Sequence, residues 1–167
     1  MKKNILIVVD MQNDFIDMAL GTKEAVAILP AVKAKIAAYA AAGHEILYTR
    51  DTHEENYLDT PEGRKLPVKH CIRGTKGWQI ADGLYIDGCR IVDKPNFGWP
   101  HWAEETLEDV ELIGLCTDIC VVSNALIIKA TFPEADVKVD AACCAGVTPE
   151  SHAAALQTMA MCQIDIL

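Results

Sequence analysis

At 167 residues the chain has the size of one domain with a core of its own. Half of it is apolar and its net charge is −9 with no basic cluster, which argues against nucleic acid and anionic membrane surfaces as partners. No apolar run approaches the ~18 residues that a membrane-spanning helix needs.

Lys2 and Lys3 precede an apolar run, a superficial likeness to a secretory leader. That run ends at Asp10 with no small-residue cleavage site behind it, so a first strand over 4–9 in a cytoplasmic protein is expected. Its continuous β-branched character fits a strand buried on both faces. A helix is predicted over 30–43. Val32, Ile36 and Tyr39 fall at helical spacing, Pro30 suits the first turn and Gly43 the C-terminal cap. The preceding TKEAVAIL reads as a separate short helical turn. Further strands are predicted over 45–49, 89–93, 110–115 and 136–140, with a short sixth in the closing QIDIL. Between 50 and 88 lies a long polar stretch rich in Gly and Pro, a length that is functional or carries short elements of its own. PHWAEETLED suggests a short helix, and 118–130 a longer one. The helix from 148 to 162 has Thr148 as its N-cap and Pro149 at its first position. Alternating strands and helices define a three-layer α/β/α domain over 1–167, with a parallel sheet and right-handed crossovers.

Ligands of such sheets bind beyond the carboxyl ends of the strands, where strand order reverses. Four successive strand ends carry reactive side chains: Asp10, then Asp51 with His53, then Asp93 and Lys94, then Thr117, Asp118 and Cys120. Cys120 falls at a helix start, a position that lowers a thiol pKa and offers amides to a developing oxyanion. A thiol, a carboxylate base and a cation make a nucleophilic set. Two other readings stay open. Cys116 and Cys120 are a possible redox pair, although C-x-x-x-C is not the C-x-x-C of thioredoxin-like sites. A non-catalytic module that binds a small amide is the other. Seven cysteines in a chain with no secretion signal are expected to be reduced and mostly buried.

VVDMQNDF (8–15), YTRDTH (48–53), DK (93–94) and GLCTDICV (114–121) together resemble the isochorismatase-like cysteine hydrolase superfamily, in order and over nearly the whole chain. The resemblance implies a six-stranded parallel sheet of order 3-2-1-4-5-6 and a catalytic triad of Asp10, Lys94 and Cys120. It also implies a non-proline cis peptide between Leu115 and Cys116, and an oxyanion hole formed by the amides of Cys116 and Cys120. Members that hydrolyse a vinyl ether carry glycine at the nucleophile position, so with Cys120 this chain resembles the amidase branch. Nicotinamide is the leading substrate, with N-carbamoyl compounds and maleamate as alternatives.

The nicotinamidase-like branch further implies one divalent ion. Asp51, His53 and His70 match its ligand pattern and Glu62 resembles a ligand of some bacterial members, a set that suits Zn²⁺, Mn²⁺ or Fe²⁺. Two departures bear on the substrate. KLPVK (65–69) lacks the aromatic residue usual before the later histidine, and PNFGWP (95–100) replaces the family's element after the lysine. Phe15, with Phe97 or Trp99, is left as the expected pocket wall, and Trp78 is a weaker candidate. His44, His101 and His152 read as surface or capping residues, Asp14 and Asp118 as groups that fix turns. Trp99-Pro100-His101-Trp102 reads as an exposed stretch at a subunit interface, in a homo-oligomer expected by analogy.

Overall fold

The computed structural model describes residues 4–167. Lys2 and Lys3 lie outside the described residues. In chain order the elements are β1 (Asn4–Val9), α1 (Asn13–Ile16), α2 (Lys23–Ala27), α3 (Leu29–Ala41), β2 (Glu45–Asp51), α4 (Pro61–Lys65), β3 (Arg90–Lys94), β4 (Asp109–Leu115), α5 (Val122–Thr131), β5 (Asp136–Ala145), α6 (Pro149–Met161) and β6 (Asp165–Ile166). One six-stranded sheet has the order β3-β2-β1-β4-β5-β6, and every pairing is parallel.

The strand pattern explains why both faces are covered. Ile5, Ile7 and Val9 of β1 face one core layer together with Val110, Leu112, Ala125, Ile128 and Met159. Leu6 and Val8 face the other, with Val32 and Ile36 of α3. Burying each such aliphatic side chain is worth about 1.5–3 kcal/mol, so alternate residues of one strand hold both helical layers. Thr148 accepts from the Ser151 amide at the start of α6, and Ser151 closes the reciprocal bond to Thr148.

The differences from the sequence reading have local causes. The strand expected over 136–140 runs on to Ala145, because pairing with β4 slips between Leu112 and Gly114 and a bulge absorbs the extra residues. β6 has only two residues. The helix expected from 118 begins instead as a π turn over Thr117–Val121 and becomes α-helical at Val122. PHWAEETLED holds one 3₁₀ turn, Trp102–Glu104. Of the stretch expected to be exposed, Pro100 and His101 are exposed, but the two tryptophans are internal. Trp102 is fully buried and Trp99 is 8% exposed, and their rings meet edge to face at 4.8 Å. Their indoles complete the core beside α5, which removes them from any subunit surface. No helix among the described residues is long and apolar enough to cross a membrane.

Candidate active site

Sheet order reverses between β1 and β4, and the reactive side chains gather at that crevice. Gly114 lets the two strands close up there. Its φ is +120°, and a Cβ would strike the Val9 carbonyl. Asp10 follows β1 with φ +47°, a left-handed turn that aspartate tolerates better than most residues. Its backbone N–H donates to the Thr49 carbonyl at 3.2 Å, and the Thr49 hydroxyl donates to its Oδ1 at 2.6 Å. Lys94 ends β3 and reaches back across β2. Its Nζ lies 2.6 Å from Asp10 Oδ2 and 3.5 Å from Cys120 Sγ, and it donates to the Asn96 carbonyl at 3.1 Å. Cys120 comes from the π turn after β4, behind a cis peptide between Leu115 and Cys116.

Asp10 and Lys94 are fully buried and Cys120 is 4% exposed. Burial opposes the Lys94 ammonium, but Asp10, Cys120 and Asp51 around it outweigh that and hold its pKa above the ordinary lysine range. Burial lifts the Asp10 carboxyl above its ordinary value, with Lys94 pulling the other way and Asp51 adding to the rise. Burial and then the Asp10 carboxylate push the Cys120 thiol well up, against the pull of Lys94. This corrects the expectation of a lowered thiol pKa: complete burial beside a carboxylate overrides the helix start. Burial thus favours the thiol form of Cys120 and raises the basicity of the neighbouring Asp10 carboxylate. Burial also pushes the Cys116 thiol up to about 12, and all seven cysteines are free.

A second cluster adjoins the first. Asp51 is the last residue of β2, and its Oδ2 lies 3.0 Å from His53 Nε2 and 3.5 Å from His70 Nε2. Glu62 of α4 approaches the same two nitrogens at 3.5 and 3.8 Å. One donor atom from each of the four residues falls within a 4.8 Å cluster. Burial raises the Asp51 carboxyl, but hydrogen bonds from His53 and His70 and the charge of Lys94 outweigh it and hold it below the usual carboxylate range. Asp51 Oδ1 is buried without a hydrogen-bond partner, 3.9 Å from Lys94 Nζ. His70 Nδ1 lies 2.8 Å from the Val68 carbonyl oxygen, so a metal would meet the ring at Nε2, the nitrogen that faces Asp51 and Glu62. Two imidazoles and two carboxylates, one of them with an oxygen that has no hydrogen-bond partner, fit a divalent cation.

Gln12 holds this cluster in register, a residue whose part the sequence reading missed. Fully buried, it accepts from the Asp51 amide at 2.8 Å and donates to the Asp51 and Trp78 carbonyls at 2.9 and 2.8 Å. It thereby ties the end of β2 to the long connection 52–88. Asp14 accepts from the Cys71 amide at 2.7 Å and anchors the same connection beside His70. Trp78 stacks under the Arg50 guanidinium, 3.6 Å from ring centroid to Cζ, and is not a pocket wall.

Phe15 and Phe97 do line the cavity over Cys116 and Cys120, opposite Asp51, Glu62 and His70. Leu20, Leu66 and Ile119 complete its apolar wall. These three stand in turns and loops with no periodicity, so the sequence carried no signal for them. Trp99 is not among the lining residues. Its backbone N–H donates to Asn124 Oδ1 at 2.9 Å, and its ring packs in the core. His44 and His101 are exposed, whereas His152 is half-buried against Thr117. Asp118 fixes its turn by accepting from the Val147 amide.

The isochorismatase domain family matches residues 4–167. The nicotinamidase/pyrazinamidase of Mycobacterium tuberculosis strain ATCC 25618 / H37Rv is 25% identical over 182 residues, covering 97% of each chain. The pyrazinamidase of Pyrococcus horikoshii, solved in complex with zinc, superposes with a TM-score of 0.87 at 28% identity, over 99% of this chain and 98% of that one. The N-carbamoylsarcosine amidase of Thermoplasma acidophilum shares the fold, with a TM-score of 0.78 at 24% identity over 98% and 95% of the two chains. Fold and site together define a hydrolase acting on C–N bonds outside peptides. The chain belongs to the isochorismatase domain family, on its nicotinamidase-like branch.

Proposed function

We propose that this chain is a cysteine amidohydrolase that converts a small neutral aromatic carboxamide, nicotinamide first among them, to its acid and ammonia. One observation carries the reading: Lys94 Nζ stands 2.6 Å from Asp10 and 3.5 Å from the sulfur of Cys120, which lines a pocket walled by Phe15, Leu66 and Phe97. In the proposed cycle Asp10 takes the thiol proton as Cys120 Sγ bonds to the carboxamide carbon. Lys94 stays charged throughout and offsets the negative charge shared by carboxylate and sulfur. The carbonyl oxygen becomes an oxyanion on the amides of Cys116 and Cys120, where each donor contributes about 10²–10³ in rate. Collapse breaks the C–N bond, the proton on Asp10 goes to nitrogen, and ammonia leaves. Water then adds to the thioester, giving a proton to Asp10. The C–S bond breaks and that proton returns to sulfur.

Asp51, His53, Glu62 and His70 would hold one divalent ion, with zinc the leading choice. When bound it supplies a Lewis-acid site for a heteroatom lone pair and so orients a ring against Phe15 and Phe97. Two carboxylates and two neutral imidazoles balance a dipositive ion, so the loaded site carries no surplus charge. Among the described residues, the inner pocket wall contains no Lys or Arg; Lys94 lies buried beside Cys120 and is already paired with Asp10, and Lys65 lines only the wider mouth outside Glu62. An N-carbamoyl amino acid or maleamate would bring a carboxylate with no free cationic side chain to pair with, which supports the neutral amide.

The test is ammonia release from nicotinamide, pyrazinamide, an N-carbamoyl amino acid and maleamate, before and after chelation and zinc replacement. The expected result is turnover of the two aromatic amides, lost on chelation and restored by zinc. Preference for either acidic amide would overturn the substrate reading, and silence on all four with zinc present would overturn the amidase itself.

A further inference from the structure

Thr117 opens the π turn that carries Cys120, one residue after the amide of Cys116. Its hydroxyl is fully buried and lies 2.7 Å from Nδ1 of His152, in the first turns of α6. The neighbouring residue is tied to the same region, since both Asp118 carboxylate oxygens accept from the Val147 amide, at 3.2 and 3.1 Å. Gly146 completes the contact. A Cβ there would lie 2.9 Å from the His152 backbone nitrogen, so α6 sits directly on the loop leading into it. On its inner side the turn is closed by its own backbone, with the Ile119 and Val121 amides both donating to the Cys116 carbonyl at 3.1 and 3.0 Å. On its outer side the side-chain ties run to α6 and its leading loop. The His152 ring lies in a separate groove, lined also by Ile28, Cys144 and Pro149, and is not among the residues that face the substrate cavity.

We infer that His152 is a positioning residue. Acting through Thr117, it holds the Thr117–Val121 turn so that the amides of Cys116 and Cys120 both aim at the oxyanion. This rests on the amidase reading above for its catalytic consequence, but not for the tie itself. A π turn is wider than an α-helical one and sets its register by what packs against it. A hydrogen bond at its first residue fixes the end that presents the Cys116 amide. Because the oxyanion exists only after attack, a misplaced donor lowers kcat and leaves KM nearly unchanged.

The experiment compares wild type with His152→Ala, His152→Asn, Thr117→Val and the double variant His152→Ala/Thr117→Val. Hydrogen exchange is followed at the amides of 116–121, and steady-state kinetics on nicotinamide run alongside. His152→Ala is expected to speed exchange at 116–121 at least about tenfold while α3 and the sheet stay protected. Its kcat should fall about 10- to 100-fold, the scale of a small misplacement, with KM within twofold. Asn, which can offer a polar atom near the place of Nδ1, should restore part of both. The double variant should lose no more than either single one, because both remove one tie. Wild-type exchange and kcat in His152→Ala would overturn the inference, as would an additive double variant or faster exchange spread evenly over the chain. If wild type releases no ammonia, the amidase reading fails by itself and exchange alone decides the tie. If His152→Ala does not fold, Thr117→Val against His152→Asn gives the same comparison.

Discussion

Two buried charge clusters use almost the same residue types to opposite ends. On the α3 face of the sheet, Lys35 Nζ sits 2.6 Å from Glu111 and 2.9 Å from Asp140. The Tyr39 hydroxyl donates to Glu111 Oε2 at 2.7 Å, and the Ala142 amide donates to Asp140 Oδ1 at 2.9 Å. Each carboxylate oxygen there lies within 2.9 Å of a donor, Glu111 Oε1 through its ion pair with Lys35 alone, and the Lys35 side chain is 25% exposed. At the strand ends Lys94 has no exposure, Asp51 Oδ1 has no hydrogen bond, and burial beside the Asp10 carboxylate pushes the thiol pKa of Cys120 up. The first cluster is closed and cannot accept a further group. The second is left open beside the atoms that a substrate or a metal would meet, so unsatisfied valence rather than buried charge sets the candidate active site apart.

Variants on each side should separate cleanly. Cys120→Ala is expected to abolish ammonia release, by about 10⁴-fold or more, with little change in Tm. Cys116→Ala should stay within a few-fold of wild type, because only its amide is invoked. Equal loss in the two would restore the dithiol reading. Lys35→Met should do the reverse. It strands Glu111 and Asp140, a break worth 3–5 kcal/mol when fully buried and about 2 kcal/mol at this partial exposure. Tm should drop by about 4–8 °C in calorimetry, with kcat at 25 °C unchanged. A Lys35→Met protein of normal Tm would show that the closed cluster braces nothing.

The same distinction governs what could be read in the sequence. Strand ends were legible because continuous apolar runs stop at polar residues, so Asp10, Asp51, Lys94 and Cys120 stood out before any coordinates. The metal-ligating pattern came from a likeness, since no spacing rule brings Glu62 and His70 to Asp51 across an irregular connection. That approach depends on Gln12 and Asp14, whose long-range hydrogen bonds leave no local signature. Trp99 was misplaced because an aromatic in a Pro- and Gly-rich loop looks exposed, while its burial is decided by Asn124 on a distant helix. Lys35, Glu111 and Asp140 were invisible for a like reason. Each sits on a different element, and only the packing of α3 over β4 and β5 joins them.

The smallest expected effect is the most specific to the closed cluster. Burial raises the Asp140 carboxyl, but the hydrogen bond and charge of Lys35 outweigh it and hold the carboxyl below its ordinary value. A carboxylate with a folded pKa below its unfolded one stabilises fully above the unfolded value, about 3.9, and loses that contribution as pH falls through the folded value. Lys35→Met removes the principal cause, so the variant has less to lose on acidification. The gap in Tm between wild type and Lys35→Met should therefore be widest near neutrality and narrow steadily below about pH 4. Other carboxylates titrate in both proteins and largely cancel in the difference. A gap that stays constant from neutral pH to pH 3 would mean that Lys35 braces the fold by packing alone, and the contrast between closed and open charge would lose its electrostatic half.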